Sequence, residues 1–105
     1  MSEPVIAMTT TNTEKEAKAL ASLFVEKRVA ACVQIIPKIH SIYEWDGEIH
    51  DDQEYLLMIK TLNKNVEKLQ KLLSKHHSYE VPEFLVLPVI GSTDEYEEWM
   101  NKVTK

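Results

Sequence analysis

Cysteine is nearly absent: Cys32 is the only one in 105 residues. A single thiol cannot close an internal disulfide, which suits a reducing compartment, and metal knuckles built from cysteines alone are excluded. Glycine is almost as scarce, with two residues, so phosphate-cradling glycine loops have little to build on. Arg28 is the only arginine. No apolar run approaches the roughly 18 residues of a membrane-crossing helix, and no membrane partner is expected. The opening MSEPVIAMTT has no basic segment leading into a long apolar one, so no secretory leader is expected and the default location is cytoplasmic. Basic residues are outnumbered 12 to 17, a net charge of −5, which argues against nucleic acid as the main partner.

What is present is the balance of an ordinary folded protein, 44% hydrophobic and 28% charged, in a chain long enough for one domain over residues 1–105. Val5 to Met8 reads as a short buried strand. In TEKEAKALASLFVEKR, Ala17, Leu20, Ala21, Phe24 and Val25 recur at helical spacing. Thr13 and Glu16 there have the spacing of a capping box, with Lys27 and Arg28 in the last turn. In AACVQIIPKIHSIYEW, Val33, Ile35, Ile39, Tyr43 and Trp45 share one parity, as in a long strand, and Pro37 demands an edge or a bulge. Asp46-Gly47 signals a hairpin. EYLLMIKT returns as an interior strand, with Tyr55, Leu57 and Ile59 on one side and Leu56 and Met58 on the other. A second helix carries Val66, Leu69, Leu72 and Leu73, with Asn63 as the expected cap. PEFLVLPVI is a fourth strand, whose Pro88 points to an edge. Ser92 and Glu95 repeat the capping-box spacing before a short helix striped by Tyr96, Trp99, Met100 and Val103.

Strand, helix, strand, strand, helix, strand is the order of an α+β, ferredoxin-like βαββαβ sandwich, here with an extra C-terminal helix. The second and fourth strands, the two that carry prolines, lie on the edges of that topology. Its helices cover one face of the sheet only. Apolar residues on both sides of the third strand, a very long second strand and the stripe of the last helix therefore predict an oligomer that buries the open face.

The blocks RVAACVQIIPKIHSIYEWDGEI, EYLLMIKT and YEVPEFLVLPVI, in that order, with Tyr96 and Trp99 as a closing Tyr-x-x-Trp, resemble the CutA family of divalent-cation-tolerance proteins. The resemblance runs from Val5 to about Met100. It implies a ferredoxin-like fold in a tight homotrimer, with the long second and third strands extending past the core to pair between subunits. It also implies an architecture similar to that of PII signalling proteins and a link to tolerance of copper and other divalent metals. The fold alone does not supply a mechanism.

The candidate metal residues that the resemblance implies are His76 and His77 and a position near the end of the first strand. That position is cysteine in similar proteins and Met8 here. A thioether suits copper(I) and is a poor ligand for zinc. Adjacent residues on a helix point about 100° apart, so the pair can share an ion only where the helix ends between them. Otherwise one imidazole serves the negative end of the helix and the other is solvated. Cys32, between apolar neighbours, reads as a buried structural thiol. His50, Asp51 and Asp52 with Glu48 read as a solvated acidic turn that could hold a hard ion loosely, and His40 as exposed. Glu54, Lys60, Tyr79 and Glu80 match positions that lie near subunit clefts in similar proteins, and fit either a small polar ligand or structural pairing.

Catalysis finds little support. Acylphosphatases share the strand order but need an arginine in the loop after the first strand, and that loop here is TTTNTEK. No Ser-His-Asp set or H-E-x-x-H pattern occurs. RNA-recognition domains need aromatic residues on the central strands and a basic rim, and only Tyr55 qualifies. The expectation is a copper-handling homotrimer that binds or senses metal, with a PII-like module that binds a small ligand as the alternative.

Overall fold

The computed structural model describes residues 2–105. β1 (Pro4–Thr11) is rich in β-branched residues, which favour a pleated strand, and leads into α1 (Glu14–Glu26). β2 (Cys32–Trp45) and β3 (Glu48–Leu62) form a long hairpin. α2 (Val66–His76), β4 (Leu85–Pro88) and α3 (Asp94–Val103) complete the chain. The strands are all antiparallel, in the order β2-β3-β1-β4. This is the expected ferredoxin-like sheet, with β2 and β4, which carry Pro37 and Pro88, at its edges, while Pro4 only opens the interior β1.

The hairpin turn is set by two residues with positive φ, Asp46 (51°) and Gly47 (79°). Positive φ at both central positions matches the twist of the flanking strands. Pro37 marks a bulge: the register of β2 against β3 jumps between Ile36 and Ile39, and Lys38 takes a φ of 57°. The bulge corrects the single-parity reading of β2. Val33 and Ile35 pair with Ile59 and Leu57 on the helix side, whereas Ile39 pairs with Glu54 and Tyr43 with His50 on the opposite side. One inserted residue thus moves the aromatic half of the strand to the open face.

β1 reaches only Tyr55 of β3. Beyond it, residues 39–45 and 48–54 continue as a two-stranded ribbon, which gives the subunit its 45 Å length. Ile42, Ile49 and Trp45 stand exposed along this ribbon.

The core lies between the sheet and the helices: Ala7, Leu57 and Ile59 meet Ala17, Leu20 and Phe24 of α1 and Leu69 and Leu73 of α2. On the other side, α3 covers only one end of the sheet, where Met100 packs on Ala31 and Leu62. Met8, Leu56 and Met58 stay half-buried there, and Ile36, Leu85 and Leu87 stay exposed.

The helix ends differ from expectation in detail. α1 stops at Glu26, and Arg28 lies beyond it in the left-handed region, at φ 61°. Its guanidinium donates to the carbonyls of Lys102 and Val103, closing the end of α3. Asn63 opens a short 3-10 turn, and α2 begins after Asn65, whose buried amide donates to Thr61. The cap of α3 is Thr93, which accepts from the Tyr96 amide; Ser92 instead donates to Glu97.

Candidate functional site

α2 ends between the two histidines. His76 closes the helix, and His77 takes φ −74° and ψ 141°, an extended conformation. That turn in the backbone sends the two rings apart. His76 is exposed, and the side chain of His77 is fully buried. The Nε2 of His77 lies 2.7 Å from the Thr10 carbonyl, and its Nδ1 lies 3.0 Å from the Tyr79 backbone nitrogen. A carbonyl can only accept and an amide can only donate, so Nε2 carries the hydrogen and Nδ1 is bare. The pairing of β4 with β1 stops at Met8, and His77 takes the carbonyl of Thr10 just past that point.

Glu16 completes the joint. Thr13 accepts from the Glu16 amide, as the capping spacing predicts. The Glu16 carboxylate, however, reaches Ser78, accepting from its amide at 2.7 Å and its hydroxyl at 2.8 Å. The start of α1, the end of α2 and the end of β1 are thus tied together through His77 and Ser78.

This setting fits a metal poorly at His77, because both ring nitrogens are already engaged. His76 is the imidazole open to solvent. Met8 lies on the open sheet face, paired with Met58 and Leu85. Among the described residues, no three of His, Cys, Asp and Glu come together to hold a metal ion.

The acidic stretch is part of β3, not a free turn. Asp51 and Asp52 point to opposite faces of the ribbon. Each is met by a neighbouring strand: Asp51 lies 3.0 Å from His40 Nδ1, and Asp52 accepts from the Tyr43 hydroxyl. That hydrogen bond raises the pKa of Tyr43. Tyr43 also stacks on His50. Cys32 is half-exposed, not buried, because its pairing with Lys60 puts it on the open face.

The set Glu54, Lys60, Tyr79 and Glu80 divides. Glu54 is buried and accepts from the Tyr79 hydroxyl at 2.6 Å. Burial, then this hydrogen bond, pushes the Tyr79 pKa well above the usual phenol value. Glu83, absent from the sequence-based set, lines the same groove as Glu54, Tyr43 and Trp45. Burial, then the charge of Glu54, raises its pKa. Lys60 lies about 20 Å along the strand from Glu54, at 3.3 Å per residue. Its ammonium sits 5.9 Å from the centre of the Tyr96 ring. Glu80 is exposed. The bulge brings Tyr43 and Trp45 to the groove; Pro37 was the signal for it, but not for its direction.

The family model "CutA1 divalent ion tolerance protein" matches residues 5–103. The chain is 42% identical to "Protein CutA, chloroplastic" of Arabidopsis thaliana, covering 97% of this chain and 57% of that protein. It is 39% identical to "Divalent-cation tolerance protein CutA" of Thermus thermophilus, covering 94% and 96%. It thus spans just over half of the plant relative and nearly all of the bacterial one. The solved Thermus thermophilus CutA1 structure superposes with a TM-score of 0.94 at 38% identity, covering 97% of this chain and 99% of that one. The Ehrlichia chaffeensis CutA1 structure superposes at 0.95 with 28% identity, covering 100% and 98%. With the family model matching nearly the whole chain and relatives 42% and 39% identical over 97% and 94% of it, the chain belongs to the CutA1 divalent ion tolerance family.

Proposed function

We propose that this chain serves divalent-metal tolerance, with copper the chief metal, by binding or sensing metal within a homotrimer and without catalysing a reaction. Family membership over residues 5–103 carries this reading. The family is named for tolerance and not for a reaction. Metal contact centres on His76, which is exposed at the end of α2, with Met8 and His77 as further donors. Engaging His77 requires it to release Thr10 or Tyr79, so the first contact is His76. Met8, on the opposite face of the sheet from α2, would act at a separate contact, where a thioether favours copper(I). The homotrimer is supported by the apolar open face, where Ile36, Leu85 and Leu87 remain 42%, 56% and 43% exposed in the single chain. No helix among the described residues is long and apolar enough to cross a membrane. We place the protein in the cytoplasm because of its lone thiol.

Titrating the reduced protein with copper(I) and copper(II), beside His76→Ala and the double variant His76→Ala/His77→Ala, tests the reading. Stoichiometric binding that weakens in His76→Ala and disappears in the double variant supports it. Binding that the double variant keeps refutes the site.

A second reading is a PII-like module that responds to a small ligand and needs no metal. The groove lined by Tyr43, Trp45, Val81, Glu54 and Glu83 favours it. Metabolite binding by chelator-treated protein would distinguish the two.

A further inference from the structure

We propose that the outer face of α2 is a docking surface for a short acidic segment of a partner protein, held by the row Lys64, Lys68, Lys71 and Lys75. Spacings of three and four residues set these side chains along one side of the helix. All four are exposed, and Leu69 and Leu73 are buried on the other side. Lys64 lies in the 3-10 turn that leads into α2. α2 packs on the face of the sheet opposite the open one, so copies that cover the open face leave this row in water.

The row runs against the charge of the rest of the chain. Residues 64–76 hold four of the twelve Lys and Arg residues and one of the seventeen Asp and Glu residues. Among the described residues, Lys71 is the only lysine of the row in an ion pair, with Glu67 at 3.2 Å. Like charges three and four residues apart repel. Lys64 and Lys68 also stand at the positive end of the helix dipole, where a cation is unfavourable. Helix stability alone gives no reason for lysines there. Carboxylates of a partner relieve the repulsion within the row and at the dipole.

The shape of the row selects the partner. From Lys64 to Lys75 it is about 16 Å long at 1.5 Å per residue, and one side chain wide. An extended segment of about five or six residues spans it. Outside residues 64–76 acidic residues outnumber basic ones sixteen to eight. A long polyanion or a broad anionic surface reaches past the row and meets that repulsion, which is screened only beyond about 8 Å. The row has no aromatic side chain to stack on bases and no apolar one to enter a bilayer. A short segment rich in Asp and Glu stays on the lysines.

This inference does not rest on the metal reading, and its test uses chelator-treated protein in the assembly that it forms. Hexaglutamate is added at low salt while backbone amide signals are followed by NMR. It is expected to shift residues 64–76 saturably and to bind more weakly as salt rises, while hexaglutamine shifts nothing. An exposed ion pair is worth roughly two- to fivefold in affinity. Lys68→Gln/Lys71→Gln/Lys75→Gln is therefore expected to weaken hexaglutamate about tenfold or more. Lys15→Gln/Lys18→Gln, on α1, is expected to leave it unchanged, and Glu67→Gln to tighten it. No shift in residues 64–76 overturns the proposal, as do equal losses from the α1 and α2 variants. Tighter binding of hexathymidylate or of phosphatidylserine vesicles to the row also overturns it, and would make the row a nucleic-acid or a membrane contact. Should the triple variant fail to fold, the gain expected from Glu67→Gln decides.

Discussion

The two faces of the sheet carry similar residues and meet different fates. On the helix side, Ala7, Leu57 and Ile59 are 0% exposed. One step along the same strands, Ile6, Met8, Leu56 and Met58 point the other way and remain half-buried. Leu85 is 56% and Leu87 43% exposed on that side. A strand whose alternate residues are all apolar belongs in an interior with cover on both faces. Two amphipathic helices suffice for the first face. On the second, α3 and the segment after α2 cover the two ends and leave the middle, so the sequence specifies more apolar surface than one chain can bury.

Substitutions on the two faces should therefore separate folding from assembly. Leu57→Ala removes a buried core side chain and should destabilise the subunit by about 2–5 kcal/mol, measured by denaturant unfolding. Met58→Asp, its neighbour on the open face, should retain the circular-dichroism spectrum and reduce the assembled mass instead. If Met58→Asp unfolds the chain as Leu57→Ala does, the two faces are not distinct.

The two histidines repeat the contrast on a smaller scale. His77→Ala leaves the Thr10 carbonyl and the Tyr79 amide without their partner and should cost about 1–3 kcal/mol per group left unsatisfied in the interior. His76→Ala, on the surface, should stay within about 0.5 kcal/mol. Thermal unfolding of metal-free protein checks both. An equal loss at the two positions would undo the assignment of His77 as a structural strut.

The ribbon offers a third comparison, with the sheet proper. Gly47 sits at φ 79° with open space around it, so Gly47→Ala strains the backbone without a clash. It should cost about 1–2 kcal/mol, and hydrogen exchange should locate the loss in residues 39–53 and not in the core. A uniform rise in exchange would mean that ribbon and core unfold as one unit.

The smallest expected effect concerns Glu83. Its folded pKa is raised by burial and by Glu54. Its contribution to stability is therefore present at pH below the ordinary carboxyl value and is lost as pH rises through the raised one. Glu83→Gln should be slightly more stable than the parent at neutral pH, with the difference fading below pH 4.5, the ordinary value. A difference that grows on acidification would reverse the sign of this account.

Much of the fold could be read from local chemistry. The capping threonine of α1, the Asp46-Gly47 turn and the edge prolines each act through nearest neighbours, and each is found where the sequence places it. What escaped depends on contacts distant in sequence. The direction of the bulge at Pro37 is settled by how β3 pairs on either side. Glu16 turns to Ser78, and Arg28 to the end of α3, across 62 and more than 70 residues. The histidine pair shows the same limit. Its position at a helix end was legible, but the ring nitrogens of His77 were not, since their partners lie on β1 and in the segment after α2.

The most direct test of the central claim, that the open face is covered by further copies of the chain, is the mass of the protein in solution at micromolar concentration by light scattering. The account predicts three chain masses. A single chain mass, with the apolar face left to water, would contradict it.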